Sequence, residues 1–454
     1  MIAGKSGRLL KLGGSLMVVL LVGACGADAT PTPGAATATP GAAMPTAGEA
    51  TPTVAGSTAP AESPTAAATS EPTAPPAATA CVGDGAGGPL TGEITLWHSY
   101  GSGAGPATDA LNEALAVVCE ESPGLRVDAV GLDFGSLLNL YELQAVDGDP
   151  DLFVAPNDSL WERAEATLLQ NLTDTLDATK FSQLAMDGSK YTTTAGEAGL
   201  WQVPESLNAV ALYYNKDSVP TPPATTGELK AAIEGGVRVA LEQAIYPNFG
   251  WWGAYGGQLM DDDGKCIADR GGVADALAYL AELKAAGATF VTNYADMSSG
   301  FNNGDFDMIV DGPWAADVYA ENVANLAVAP MPAGPAGPAL PMVGVDGYNM
   351  NPHGHNVELA IAFAIRMVQP DIQTIYANTA YHIPSRPDVP PSDNEVTAQF
   401  ATAIANGALR PQRPELRAFR GNFENALTQV LDEGVDPATA VSEACTAMNE
   451  ANGK

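Results

Sequence analysis

From about Thr91 onward the chain alternates short apolar runs with longer amphipathic ones. Residues 93–97 (EITLW) read as a strand, and the 101–106 loop (GSGAGP) gives way to a stretch with Ala110, Leu111, Ala114, Leu115 and Val118 on one helical face. Pro123 and Gly124 stop that helix, and Leu125–Val130 makes the next strand. A further helix, the run DPDLFVAP (149–156) and a helix around Trp161–Gln170 complete a βαβαβα series. Such alternation predicts an α/β fold with a mostly parallel sheet between helices. The pattern then recurs: strands at 200–204, 209–215, 237–241 and 306–310, and a long helix at 273–286. One core rarely grows past about 250–300 residues, so two lobes are expected. In open α/β sheets ligands sit beyond the carboxyl ends of strands. Trp314, two residues after Gly312 at the end of the strand in 309-IVDGPWAAD-317, lies at such an end.

The start of the chain breaks this pattern. Lys5, Arg8 and Lys11 precede an apolar run, Leu16–Val22, that closes on Val22-Gly23-Ala24-Cys25. The run falls short of the about 20 residues needed to cross a bilayer and reads as a secretory leader, residues 1–25. Its end resembles the lipobox of bacterial lipoproteins, which implies cleavage before Cys25 and lipid on that thiol. Residues 26–80 are nearly all Ala, Thr, Pro and Gly, with four charges and no aromatic. Having nothing to bury, residues 26–85 are expected to form a disordered tether, with a reach of roughly 40 Å.

Composition narrows the partners. The chain carries 53 acids against 20 bases, a formal charge of −33, and loss of the leader with its three cations would make it −36. Such a polyanion is a poor binder of nucleic acid and is repelled by anionic lipid, leaving the anchor as its membrane contact. Besides Cys25 there are Cys81, Cys119, Cys266 and Cys445. Outside the cell an even number of thiols permits two disulfides, in three connectivities. No CxxC spacing or histidine cluster marks a metal site, and no cofactor is expected. The run 261-DDDGK-265 lacks the alternation of a calcium loop and reads as a hairpin turn.

Several stretches carry a resemblance. LWHSYGSG (96–103), DPDLFVAPND (149–158), ALYYNKDSVPTPP (211–223) and, most closely, GFNNGDFDMIVDGPWAAD (300–317) are similar to motifs of the extracellular solute-binding proteins of ABC sugar importers, in the family that includes maltodextrin-binding proteins. The likeness implies a two-lobed periplasmic-binding-protein type II fold, with mixed sheets flanked by helices and three hinge crossings near 206–211, 331–342 and 377–384. Lobe 1 would comprise 91–207 plus 340–379, and lobe 2 208–335 plus 384–454. It implies a non-enzymatic monomer, lipid-anchored on the outer face of the membrane, that captures a carbohydrate and hands it to permease subunits. It further suggests pairing Cys81 with Cys119 and Cys266 with Cys445.

The same likeness implies a site. A sugar ring stacks its C–H face on flat aromatics, and its hydroxyls meet planar polar groups. Trp314 matches the family's stacking tryptophan and Tyr246 a stacking tyrosine. Of Trp251 and Trp252, one is expected to face the cleft and the other the core. Asp158 matches an aspartate that bonds sugar hydroxyls; the competing reading is an N-cap for the helix from Leu160. Asn208, with Glu205 nearby, stands where some relatives carry a ligand-binding glutamate, and Ser99 and Tyr100 follow the first strand. The sequence departs from the maltose pattern at Ala155, Ser159 and Arg420-Gly421, where an aromatic, an arginine and an aromatic pair are expected; this points to a different or smaller glycan. Arg420 is able to fork onto hydroxyls or a carboxylate, or to form a surface ion pair. The competing readings are a secreted glycan hydrolase, which needs two carboxyls about 5–10 Å apart, and a sensing or adhesive lipoprotein with no transporter.

Overall fold

The computed structural model describes residues 78–81, 88–100 and 105–454. The leader, Cys25 and nearly all of the expected tether lie outside the described residues. The strands in chain order are β1 (Ala78–Cys81), β2 (Gly92–His98), β3 (Leu125–Gly131), β4 (Leu152–Pro156), β5 (Lys190–Thr192), β6 (Ala198–Leu200), β7 (Val203–Asn208), β8 (Ala211–Asn215), β9 (Val239–Glu242), β10 (Thr289–Val291), β11 (Met308–Asp311), β12 (Leu326–Ala329), β13 (Met342–Met350), β14 (Ile383–Pro384) and β15 (Ala408–Leu409). They form an eight-stranded sheet, a five-stranded sheet and the β5–β6 hairpin.

The larger sheet runs β1-β3-β2-β4-β13-β7-β14, with β15 beside β13. β2 lies parallel to β3 and β4, in the register Leu96 to Ala129 and to Leu152. β13 enters antiparallel between β4 and β7, so the sheet is mixed. Period-two alternation sends Leu96 to one face, where Leu111, Val118, Phe363 and Ile372 cover it, and Trp97 to the other, with Leu137, Tyr141 and Phe153. The covering helix Pro106–Glu121 begins with proline at its first position, and Ala110, Leu111, Ala114, Leu115 and Val118 are its buried face. On the opposite face, helix Phe134–Gln144 is capped by the Asp133 carboxylate, which accepts from the Gly135 and Ser136 amides.

The smaller sheet runs β10-β9-β11-β8-β12. β9 is parallel to β10 and β11, while β8 is antiparallel to β11 and β12. Alternation again divides its strands. Leu212, Val239 and Leu241 face the core shared with helix Val273–Ala286 and the C-terminal helices, and Tyr213, Ala240 and Ile309 face Phe301, Tyr319 and Phe400.

Two passages run from strand to strand between the sheets, Ala209-Val210 between β7 and β8 and the segment between β12 and β13; a third leaves β14 for helix Glu395–Ala403, before β15 rejoins the larger sheet. That helix packs on β12. Two disulfides, Cys81–Cys119 and Cys266–Cys445, tie β1 to the first helix and the 261–265 turn to the last helix, Pro437–Ala451. β1 lies within the residues assigned to the tether; its antiparallel pairing with β3 and its disulfide hold it in the sheet.

Candidate functional site

Between the two sheets opens a cleft of about 750 Å³. Its lip on the side of the smaller sheet is set by the turn after β11. Asp311 is buried and accepts hydrogen bonds from the Tyr319 hydroxyl at 2.6 Å, the Gly312 amide at 2.8 Å and the Tyr294 hydroxyl at 2.9 Å. Burial pushes its carboxyl up to about 6 against the pull of those donors. Tyr213 also donates to the Gly312 carbonyl, at 3.0 Å. A side chain at Gly312 would overlap the indole of Trp314, so the glycine lets the ring lie back over the turn. Ala315, Ala316 and Tyr319 are buried while Trp314 stays 50% exposed in the cleft. The Tyr246 ring lies beside it, 6.2 Å between centroids and inclined by 36°.

The opposite wall is carried by the turn Asn157–Ser159 and helix Leu160–Glu165. Asn157 is fully buried. It donates to the Gly188 carbonyl at 2.9 Å and accepts from the Val345 amide at 3.1 Å, which fixes the turn. Asp158 therefore faces the cleft, where it pairs with Arg410; the N-cap of the helix is Ser159. The Arg410 guanidinium lies over the Tyr246 ring at 5.3 Å. Farther out, Arg417 lies over Trp161 at 5.0 Å and pairs with Glu162 at 3.0 Å.

The floor is where the chain passages converge. Asn208 on β7 donates to Asp346 on β13 at 2.8 Å. Burial lifts the Asp346 carboxyl to about 6, with the Asn208 hydrogen bond opposing. Ser206 pairs with Asp346 in the ladder while Pro204 pairs with Gly347, so Glu205 has no partner on β13 and sits at a bulge. A bulge re-aims its side chain. Glu205 is buried, its carboxylate 2.9 Å from Nδ1 of His382. Burial alone would lower the His382 pKa, but the Glu205 carboxylate outweighs it and the net shift is upward. Tyr381 presents this histidine from a left-handed backbone, φ 61°.

Of the sequence-predicted residues, the structure brings Ser99, Tyr100, Asp158, Asn208, Tyr246, Trp314 and Arg420 to the cleft. It places the others elsewhere. Trp251 and Trp252 are both buried, packed against Tyr279 and against Phe249, Phe419 and Phe423, so neither ring faces the cleft. Glu205 lies behind the floor as the partner of His382. Sequence reasoning missed Asp346, His382, Arg410 and the Glu162–Arg417 pair. One signal was present for Asp346, a lone acid within the apolar strand MVGVDGYNM. Among the described residues no group of three or more His, Cys, Asp or Glu side chains is placed to hold a metal, and no helix is long and apolar enough to cross a membrane.

This architecture has close counterparts. The GacH receptor of Streptomyces glaucescens superposes with a TM-score of 0.70 at 23% identity, over 80% of this chain and 98% of that one. The maltotriose-binding protein of Thermus thermophilus gives 0.68 at 24%, over 79% of this chain and 100% of that one. In sequence, the maltotriose-binding protein of Pyrococcus abyssi is 25% identical over 376 residues, 78% of this chain and 80% of its own. A maltooligosaccharide ABC transporter solute-binding lipoprotein of Streptococcus pneumoniae is 22% identical over 366 residues, 74% of this chain and 85% of its own. These likenesses identify the fold as the two-lobed one of the maltose-binding proteins. Residues 114–405 match the model of the bacterial extracellular solute-binding proteins, and the chain belongs to that family.

Proposed function

We propose that this protein is a non-enzymatic receptor that captures a carbohydrate between its lobes and delivers it to an ABC permease. Anchored through lipid on Cys25, it would work at the outer face of the membrane. The observation that carries the reading is the half-exposed Trp314 beside Tyr246, facing a floor of Asn208 and Asp346. An apolar platform opposite planar acceptors and donors is the complement of a sugar ring. The lobes would be 91–207 plus 340–379 and 208–335 plus 384–454, bending at the three passages. Contacts made only when both walls meet the ligand would drive closure.

A thermal-shift screen against mono- and oligosaccharides tests this. A true ligand at about 100 times its Kd adds about 2.7 kcal/mol to stability. If no sugar from a monosaccharide to a maltodextrin shifts the transition, the carbohydrate reading fails.

Asp346 sets a pH dependence for this site. Sugar hydroxyls donate to a carboxylate but find a weaker acceptor in the protonated acid. Binding to the charged form lowers the Asp346 pKa, so affinity is full above its free value of about 6 and falls below it. One linked proton gives up to about a tenfold loss per pH unit. Asp311 shares that pKa but is sealed beneath the Trp314 turn. Titration calorimetry across this range on Asp346→Asn should therefore lose most of the fall in affinity on the acid side, leaving what His382 at the same floor contributes; an unchanged profile would assign the proton to another group.

A further inference from the structure

The segment 408–420 reads ALRPQRPELRAFR, four arginines and one acid in a chain whose acids outnumber its bases 53 to 20. Arg413 turns away, to Glu415 and the Asp261 and Asp262 carbonyls. The other three, Arg410, Arg417 and Arg420, line the cleft. Two of them are held in place: each lies on an aromatic face and meets a carboxylate of the opposite wall, Arg410 on Tyr246 with Asp158 and Arg417 on Trp161 with Glu162.

Arg420 differs. Its side chain is 79% exposed, and the acid paired with it, Glu424, is 3.6 Å away, beyond a good hydrogen bond. Glu424 is itself occupied, accepting from the Ile245 amide at 3.0 Å. Arg410 feels the charge of Arg420: burial, and then this neighbouring guanidinium, push its pKa down to about 10. Asp158 offsets the charge of Arg410, so the guanidinium left free to meet a ligand anion is that of Arg420. The Arg410–Asp158 pair already shows a carboxylate accepted at this wall.

We propose that the ligand is a carbohydrate carrying an oxyanion, a uronate carboxylate, sulfate ester or phosphate, and that Arg420 grips that group. Guanidinium suits it because its planar fork matches two oxygens at once and its weak hydration makes partial burial tolerable. The sugar rings would stack on Trp314 while the charged substituent reaches the helix that begins at Phe419. The inference rests on the receptor reading above and adds the charge of the cargo.

Calorimetry on the purified protein compares trigalacturonate, a sulfated heparin-type disaccharide and glucose 6-phosphate with neutral maltotriose, in low and high salt. The acidic arms separate the three sources of oxyanion. At least one should bind about tenfold or more tighter than maltotriose, with an advantage that shrinks as salt screens it. Arg420→Gln should erase that advantage and Arg420→Lys keep part of it, while Arg270→Gln, an exposed arginine outside the cleft, leaves it intact. Maltotriose binding with no acidic probe tighter overturns this proposal and leaves the receptor reading standing. An acidic preference that survives Arg420→Gln removes Arg420 from the site. Failure of every sugar, neutral or acidic, sinks the receptor reading and this one with it.

Discussion

Replacing Trp314 with alanine should remove most of the stabilisation that a sugar confers while leaving the melting temperature of the free protein within a few degrees. The indole is half exposed, and the chain around it is held by other groups: Asp311 with its three donors and Tyr213 on the Gly312 carbonyl. Truncation therefore removes little packing from the free state. In the complex the ring would lose its exposed face to the ligand, and an aromatic anchor at the centre of an interface is worth about 2–3 kcal/mol or more. That corresponds to roughly thirty- to a hundred-and-fiftyfold in Kd. Trp314→Phe keeps a smaller platform and should fall between. Undiminished sugar affinity in the alanine variant would take Trp314 out of the site and with it the main support for a carbohydrate.

Much of this fold can be read along the chain because its signals are local. The alternation of strands and helices from Thr91 onward, the Pro123-Gly124 stop and the GPW turn each depend on neighbours a few residues apart, and the structure has them. What escapes is set by contacts distant in sequence. Adjacent residues on a helix point about 100° apart, so for Trp251 and Trp252 one ring inside and one outside is the natural expectation. The short helix Gly250–Ala254 is instead covered from two sides, by Tyr279 of one long helix and by Phe419 and Phe423 of another, and both rings are enclosed. Asn208 and Ser206 both reach Asp346, so alternation along β7 turns Glu205 to the other face, and the bulge opposite Asp346 leaves it without a ladder partner on β13; its partner, His382, lies 177 positions away in sequence. Arg410 meets Asp158 at a sequence separation of 252, and no periodicity foretells that pair.

The bulge makes Glu205 the second residue whose loss should have a large effect. Glu205 on β7, Asp346 on β13 and His382 beside β14 belong to the three strands that lead into or out of the chain passages. The Glu205 carboxylate, almost wholly buried, faces Nδ1 of His382 at 2.9 Å, while the imidazole keeps an edge at the cleft. Because the His382 pKa is raised in the folded protein, the pair stabilises fully below the unfolded histidine value of about 6.5 and progressively less as pH rises through the folded value. Glu205→Ala leaves the imidazolium, 17% exposed at the cleft floor, without its hydrogen-bonded counter-charge and with Asp346 as the other acid acting on it. Below about pH 6 that should cost about 3–5 kcal/mol, the range for breaking a buried ion pair from one side. Above pH 7 the ring can shed its proton, and the loss should shrink to the about 1–3 kcal/mol of an unsatisfied buried donor. Glu205→Gln, which keeps an acceptor but no charge, should behave like the wild type at high pH and weaken only in acid. Urea denaturation at about pH 5 and pH 8 checks this. A Glu205→Ala protein whose stability deficit is the same at both values would mean that the pair acts through packing alone, and that no charge is held at the junction of the three strands.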